Sequence, residues 1–299
     1  MSRMEKRVAS PARAAGNPNL KSLLENWTAT GDSRSAARPI RMMQIPHIEL
    51  ARGVDTYRAA FSALRATTQP DIIYMFGVDH HGGRDSLFHF SGRPYVTPLG
   101  EVPTCEATLD VLRRKLGSHV FSNERLHDVE WTIENPLVWV QHALGKIPAF
   151  VPVIVSERRA MFARHGADGE HTQAVLNVLA RQIATQIDLG KQVLLIAGVD
   201  LSHGGSAFSG QAPHSEEGAR LIEQHDRAYL EALFRLDLAK SERIVLSNPT
   251  NIDAGAPMGA MQRLGEILGW TGGGALLHYD STYWSEEDRY VTYASAYWT

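Results

Sequence analysis

Short apolar runs of strand length punctuate the chain: residues 39–45 (PIRMMQI), 72–76 (IIYMF), Phe150–Val155 (FVPVIV) and 193–197 (VLLIA). Each is followed by Gly, Pro or polar residues, as strands entering loops are. Longer stretches with helical spacing lie between them. Residues 55–65 put Tyr57, Phe61 and Leu64 on one face, and 135–144 and 173–187 behave alike. Glu216–Phe234 reads as a long amphipathic helix with Leu221, Tyr229 and Leu233 turned inward. Strands alternating with helices predict the α/β class: one layered α/β/α domain around a central mixed, largely parallel sheet. The tail 274–299 departs from this rhythm. Its stretches ALLHYDSTYW and YVTYASAYW predict two antiparallel strands at one side of the sheet. No 20–50-residue repeat and no shift in composition marks a boundary. The expected division is a domain over 38–299, preceded by a flexible or loosely packed arm over 1–37.

Composition narrows the function classes. With 43% hydrophobic and 21% charged residues, the 299-residue chain is ordinary globular material. Thirty Lys+Arg against 33 Asp+Glu leave a net charge of −3, too little field to grip a phosphate backbone, so no nucleic-acid partner is expected. No apolar run reaches the ~20 residues of a membrane span, and the first residues lack a signal peptide's apolar stretch, so no membrane partner and a cytoplasmic location are expected. Cys105 is the single cysteine, which excludes internal disulfides and all-cysteine metal sites. Thirteen histidines direct any metal site toward imidazole and carboxylate.

The polar residues fall where such a site forms. Pro46-His47 follows the first run, Gly77-Val78-Asp79-His80-His81-Gly82-Gly83 the second, and Gly198-Val199-Asp200-Leu201-Ser202-His203-Gly204-Gly205 the fourth. Ligands of α/β sheets bind outside the carboxyl ends of the strands. Taken singly, His47 is an ordinary turn residue and Asp200 an ordinary Asx-turn former. Taken together, three strand ends carrying histidines and aspartates predict one site. Adjacent side chains diverge, so only one of His80 and His81 can be a ligand. His89, in the alternating stretch LFHF, is not expected to bind. Two histidines with one carboxylate suit non-haem Fe(II), and the same set serves zinc.

The segments IPHIELARGVDTYRAAFSAL, MFGVDHHGG, VEWTIENPLVWVQHALGKIPAFVPVIV, LLIAGVDLSHGG, NIDAGAPMGAM and LLHYDSTYW stand in the order of the motifs of the Memo family, which the chain resembles over 38–293. Memo proteins share their fold with LigB-like class III extradiol dioxygenases, so the resemblance implies a LigB-dioxygenase-like fold. It implies that His47 and His80 are metal ligands and that Asp200 and His203 form the polar pair of the pocket, His203 as acid/base with Asp200 fixing its tautomer. It also aligns Glu134 with the glutamate of the family's HSIE segment, and Trp131 with its histidine. Glu134, Trp131 and His81 are accordingly expected in the pocket. The family's third ligand is a cysteine in CGR-x-P-x-G; here the matching position is Asp253.

A carboxylate is harder than a thiolate, so the exchange favours Fe(II) as cofactor, with Zn(II) or copper as alternatives. The resemblance thus implies a metal-binding protein working as a non-haem, extradiol dioxygenase-like oxidoreductase on a small-molecule substrate and O2. The alternatives are a non-catalytic metal- or peptide-binding partner protein of the Memo type, and a zinc-dependent hydrolase.

Overall fold

Along Ile72–Val78 the side chains alternate between two cores: Ile72, Tyr74, Phe76 and Val78 enter one, Ile73 and Met75 the other. Phe150–Val155 and Val193–Gly198 divide in the same way. A strand buried on both faces requires helices on both sides of its sheet. The computed structural model describes residues 7–8, 20, 24, 39–82, 86–156, 166–208, 213, 215–247 and 249–299.

In chain order the strands are β1 (Arg7–Val8), β2 (Met42–Ile45), β3 (Ile72–Val78), β4 (Phe88–Phe90), β5 (Tyr95–Thr97), β6 (Gly100–Val102), β7 (Phe150–Val155), β8 (Val193–Gly198), β9 (His203–Gly205), β10 (Gly274–Trp284) and β11 (Arg289–Trp298). The helices are α1 (Val54–Ala66), α2 (Glu106–Leu116), α3 (Leu126–Val129), α4 (Glu134–Leu144), α5 (Gly166–Asp188), α6 (Glu216–Phe234), α7 (Leu238–Ser247) and α8 (Gly255–Ile267). The main sheet has the order β10-β11-β2-β8-β3-β7-β4, with β9 added to β11. Its centre, β2-β8-β3-β7, is parallel throughout, and β4, β11 and β10 join antiparallel. The mixed, largely parallel sheet of an α/β/α sandwich is therefore present.

Tyr57, Phe61 and Leu64 of α1 and Leu137 and Val140 of α4 cover one face. Helices α2, α5, α6 and α8 cover the other, with Leu112, Ile183, Leu233 and Met261 among their contacts. In α6, Tyr229 and Leu233 are buried as expected, but Leu221 is 60% exposed. It lies in the helix's first turns, beyond the reach of the core. The N-terminal expectation falls mostly outside the described residues. Within 1–37, Arg7 and Val8 pair in parallel with Tyr95 and Val96, and Leu20 and Leu24 are buried in the α1/α4 core.

The parallel register positions the site. Ile45, Gly198 and Gly77 stand side by side on β2, β8 and β3, so all three strands release their loops at one edge. Gly198 has a steric reason to be glycine: a Cβ there would lie 1.9 Å from the carbonyl oxygen of Thr132. The segment before α4 thus crosses directly over the sheet end.

Candidate metal centre

His47 leaves β2, His80 leaves β3 and Asp200 leaves β8, each two or three residues beyond the aligned strand ends. Asp253, just before α8, joins them because its amide donates to the carbonyl of Leu201 at 2.9 Å. The imidazoles of His47 and His80 and the carboxylate of Asp253 offer ligand atoms that all lie within 4.8 Å of one another. Asp253 faces both rings: its Oδ2 is 3.5 Å from His47 Nε2 and its Oδ1 3.5 Å from His80 Nε2.

Hydrogen bonds fix which nitrogen each ring presents. His47 Nδ1 lies 3.0 Å from the carbonyl of Gly198, which can only accept, so Nδ1 carries the hydrogen. His80 Nδ1 lies 3.1 Å from Glu130 Oε1 and donates in the same way. Both rings therefore turn Nε2 toward Asp253. This is the arrangement in which metal-binding histidines are held, the far nitrogen donating to a carbonyl or carboxylate. Asp200 holds the backbone beneath: its Oδ1 accepts the amides of His47 (3.0 Å) and Ile48 (3.2 Å). Asn135 Nδ2 donates to the His47 carbonyl at 2.8 Å.

The electrostatics favour positive charge between these groups. Burial alone would lower the His80 pKa, but the hydrogen bonds and charges of Asp253 and Glu130 outweigh it and raise it to about 11. Burial would raise Asp253; His80, with His47 and His203 behind it, instead holds that carboxyl well below the usual range. Glu130 is lowered for the same reason, His80 overcoming the cost of its burial. Asp253 Oδ2 is buried and accepts no hydrogen bond. Two oriented Nε2 atoms around an unspent carboxylate oxygen fit a small divalent cation.

His203, in β9, is buried beside this triad. Its Nδ1 donates to the carbonyl of Leu201 at 3.0 Å, leaving Nε2 as an acceptor, and burial lowers its pKa so that the ring is neutral. The expected hydrogen bond from His203 to Asp200 is not the one that forms. The Leu201 carbonyl orients the ring instead, because both Asp200 oxygens point toward His47. Burial raises the Asp200 carboxyl, against the opposing pull of His47 and His203. A cavity of about 780 Å³ opens over the site, lined by His47, His80, Asp200 and His203 and by the aromatic rings of Trp131, Phe208 and Trp284.

A family model described as Memo-like protein matches residues 5–297. The chain belongs to the Memo-like family. The MEMO1 family protein TTHA0924 of Thermus thermophilus is 27% identical over 251 residues, covering 83% of this chain and 69% of that protein. A MEMO1 family protein of Aquifex aeolicus is 26% identical over 286 residues, covering 93% of this chain and 68% of that protein. The crystal structure of the uncharacterized protein JW3007 from Escherichia coli K12 aligns with 86% of this chain and 99% of its own, with a TM-score of 0.46 and 13% identity.

Other candidate residues of this Memo-like chain take varied places. Trp131 lines the cavity and stacks on His80, ring centroids 5.0 Å apart at 26°. His81 is exposed; its amide donates to Asp79 Oδ1 at 2.9 Å, and its ring stands 6.3 Å from Trp131. His89 is buried in β4, its Nε2 3.1 Å from Ser156 Oγ. Glu134 is buried at the start of α4 and does not line the cavity. The carboxylate that grips the site is Glu130, four residues earlier, which the motifs do not single out. Its only local signal is a second glutamate just before Trp131, in VEWTIEN.

Proposed function

We propose that this Memo-like protein holds Fe(II) on His47, His80 and Asp253 and acts as a non-haem, extradiol dioxygenase-like oxidoreductase on a small substrate. The observation that carries the proposal is the pair of imidazoles, each held by its Nδ1 and presenting Nε2 to one carboxylate. Two histidines and a carboxylate on one side of an ion favour Fe(II) over the softer metals a cysteine would select. When bound, the ion would supply open positions for O2 and for a bidentate oxygen ligand.

The surrounding residues suit that chemistry. His203 is neutral with Nε2 free at the cavity, so it can take a proton from a substrate hydroxyl and return it later. Asp200 keeps the His47 loop in place through two backbone amides. Trp131 stacks on His80 and Phe208 meets the His203 ring edge-on, so each histidine has an aromatic neighbour at the cavity.

Metal analysis of the purified protein, paired with oxygen uptake on a panel of catechols, tests the proposal. Iron near one per chain with uptake is expected. Zinc with hydrolytic activity, or bound metal with no turnover of any catechol, would overturn the oxygenase reading in favour of a hydrolase or a binding protein.

A further inference from the structure

One backbone carbonyl serves two of the site's side chains. The Leu201 carbonyl accepts the Asp253 amide at 2.9 Å and His203 Nδ1 at 3.0 Å, so its position sets where both residues stand. The segment that carries it is held by β11. The Leu201 amide donates to the Thr292 carbonyl at 2.8 Å, and Thr292 returns its own amide to the Ser202 carbonyl at 2.9 Å. The Ser202 amide donates to Thr292 Oγ1 at 2.8 Å. The side chains of Ser202 and Thr292 then converge on one carboxyl. Asp226 of α6 is fully buried and accepts Ser202 Oγ on Oδ1 and Thr292 Oγ1 on Oδ2, both at 2.5 Å, with Tyr279 OH on Oδ2 at 2.8 Å.

Charge decides how firmly this carboxyl holds. A carboxylate accepts from all three hydroxyls at once, whereas a protonated carboxyl must donate a hydrogen to one of them. Ser202 has one hydrogen to give, and Thr250 Oγ1 lies 2.6 Å from its Oγ, nearly as close as Asp226. A carboxylate draws that hydrogen toward α6. A protonated Asp226 turns it toward Thr250, whose Oγ1 lies 2.9 Å from Nδ1 of the half-buried His225. The chain Asp226–Ser202–Thr250–His225 thus reverses its polarity with one proton. The other ionisable groups around the carboxyl are Tyr279 of β10, Tyr290 of β11 and Glu223 of α6, with Arg227 lying over the Tyr279 ring at 5.2 Å. Burial pushes the carboxyl up to about 6, so near neutral pH the charge is kept against the cost of desolvation.

We propose that Asp226 is a positioning residue of the candidate metal centre: its carboxylate, through Ser202 and Thr292, holds the Leu201 carbonyl where it orients His203 and Asp253. The proposal deepens the metal-centre reading and rests on it for its consequence, weaker metal binding once the charge is lost. The positioning itself requires no metal.

Asp226→Asn keeps the shape of the side chain and removes its charge. Fe(II) affinity is measured anaerobically by chelator competition at pH 7.5 and pH 5, with the urea midpoint alongside. At pH 7.5 the variant should bind about tenfold more weakly, the range for groups that orient metal ligands from behind, yet be no less stable, because a buried charge has gone. At pH 5 the wild-type carboxyl is itself mostly neutral, so the ratio between the two proteins should shrink toward unity; protonation of the proposed histidine ligands is common to both. A tenfold ratio at both pH values overturns the proposal, as does equal affinity at pH 7.5. So does a loss of affinity that only follows a loss of stability. A second readout uses the full chain freed of metal with a chelator. Hydrogen exchange at the Asp253 amide should quicken in Asp226→Asn, and in wild type as the pH falls below the carboxyl's value of about 6, after the intrinsic pH dependence is subtracted. Unchanged protection overturns the positioning role, and the wild-type profile decides alone if the variant fails to fold. Quickened exchange in a protein that binds no Fe(II) refutes the metal reading and leaves the positioning of Asp253 standing.

Discussion

Glu130 makes two hydrogen bonds to one residue: its Oε2 accepts the His80 amide at 2.8 Å and its Oε1 faces His80 Nδ1 at 3.1 Å. It therefore sets both the backbone and the ring of a proposed metal ligand. Glu130→Gln keeps an acceptor and removes the charge, and metal affinity should fall by about tenfold or more in a competition titration. An unchanged affinity would show that Trp131 stacking alone orients the ring. The two proposed roles of histidine should separate in the same way. His80→Ala should strip the metal, whereas His203→Ala should leave metal stoichiometry intact and lower turnover by about 10²–10⁴-fold. Equal metal loss in both variants would make His203 a ligand. At this scale His47 and His80 stood out because ionisable residues are rare at the ends of apolar runs; the third such end carries Asp200 and His203, and Asp253 was reached only through the position of the family's cysteine. Glu130 was not legible, because nothing in the linear order distinguishes it from Glu134. Only the fold decides which of the two glutamates meets His80 and which enters a helix.

At the scale of elements, the segment around Thr132 lies across β8, where Gly198 leaves no room for a side chain. Thr132 Oγ1 accepts the Val78 amide and donates to the Val78 carbonyl, both at 3.0 Å, binding this segment to the end of β3 as well. Gly198→Ala would drive a methyl group into the Thr132 backbone. Overpacking of this kind costs about 1–3 kcal/mol, to be read from the urea midpoint, and the displaced segment should also weaken metal binding through Trp131 and Glu130. A fully stable variant with normal metal affinity would contradict this packing. The parallel strands were legible from their continuous apolar runs, since burial on both faces leaves no room for polar positions. The tail hairpin was legible from its alternation. Helix α8 escaped notice because GAPMGAMQRLGEI opens with glycines, alanines and a proline. The glycines and the proline are poor helix formers, and the small side chains allow the helix to pack closely under the sheet. Leu221 was misplaced because spacing identifies a helix face without telling how far along the helix the core extends.

For the molecule as a whole, the buried carboxyl of Asp226 links α6 to the sheet and to the β8–β9 loop. Ser202 Oγ and Thr292 Oγ1 donate to it at 2.5 Å and Tyr279 OH at 2.8 Å. Burial raises its pKa from the ordinary 3.8 to about 6, against the lowering effect of these three donors. A carboxyl raised on folding binds more protons in the native state, so its contribution is fully present below pH 4 and is lost as the pH rises through 6. The loss amounts to roughly 3 kcal/mol, and Asp226→Asn should flatten stability against pH across that window in urea titrations. A slope unchanged by the substitution would place the titrating group elsewhere. The proposed metal site spans the molecule more widely still. Its ligands leave β2 at His47, leave β3 at His80 and precede α8 at Asp253, with no two close together in the chain. A chain emerging during synthesis would therefore not offer the complete His47–His80–Asp253 set until α8 has been made and docked. Under the proposed function, metal capture would then be a late event that reports completed assembly, with the ion stabilising by mass action the finished protein more than its fragments.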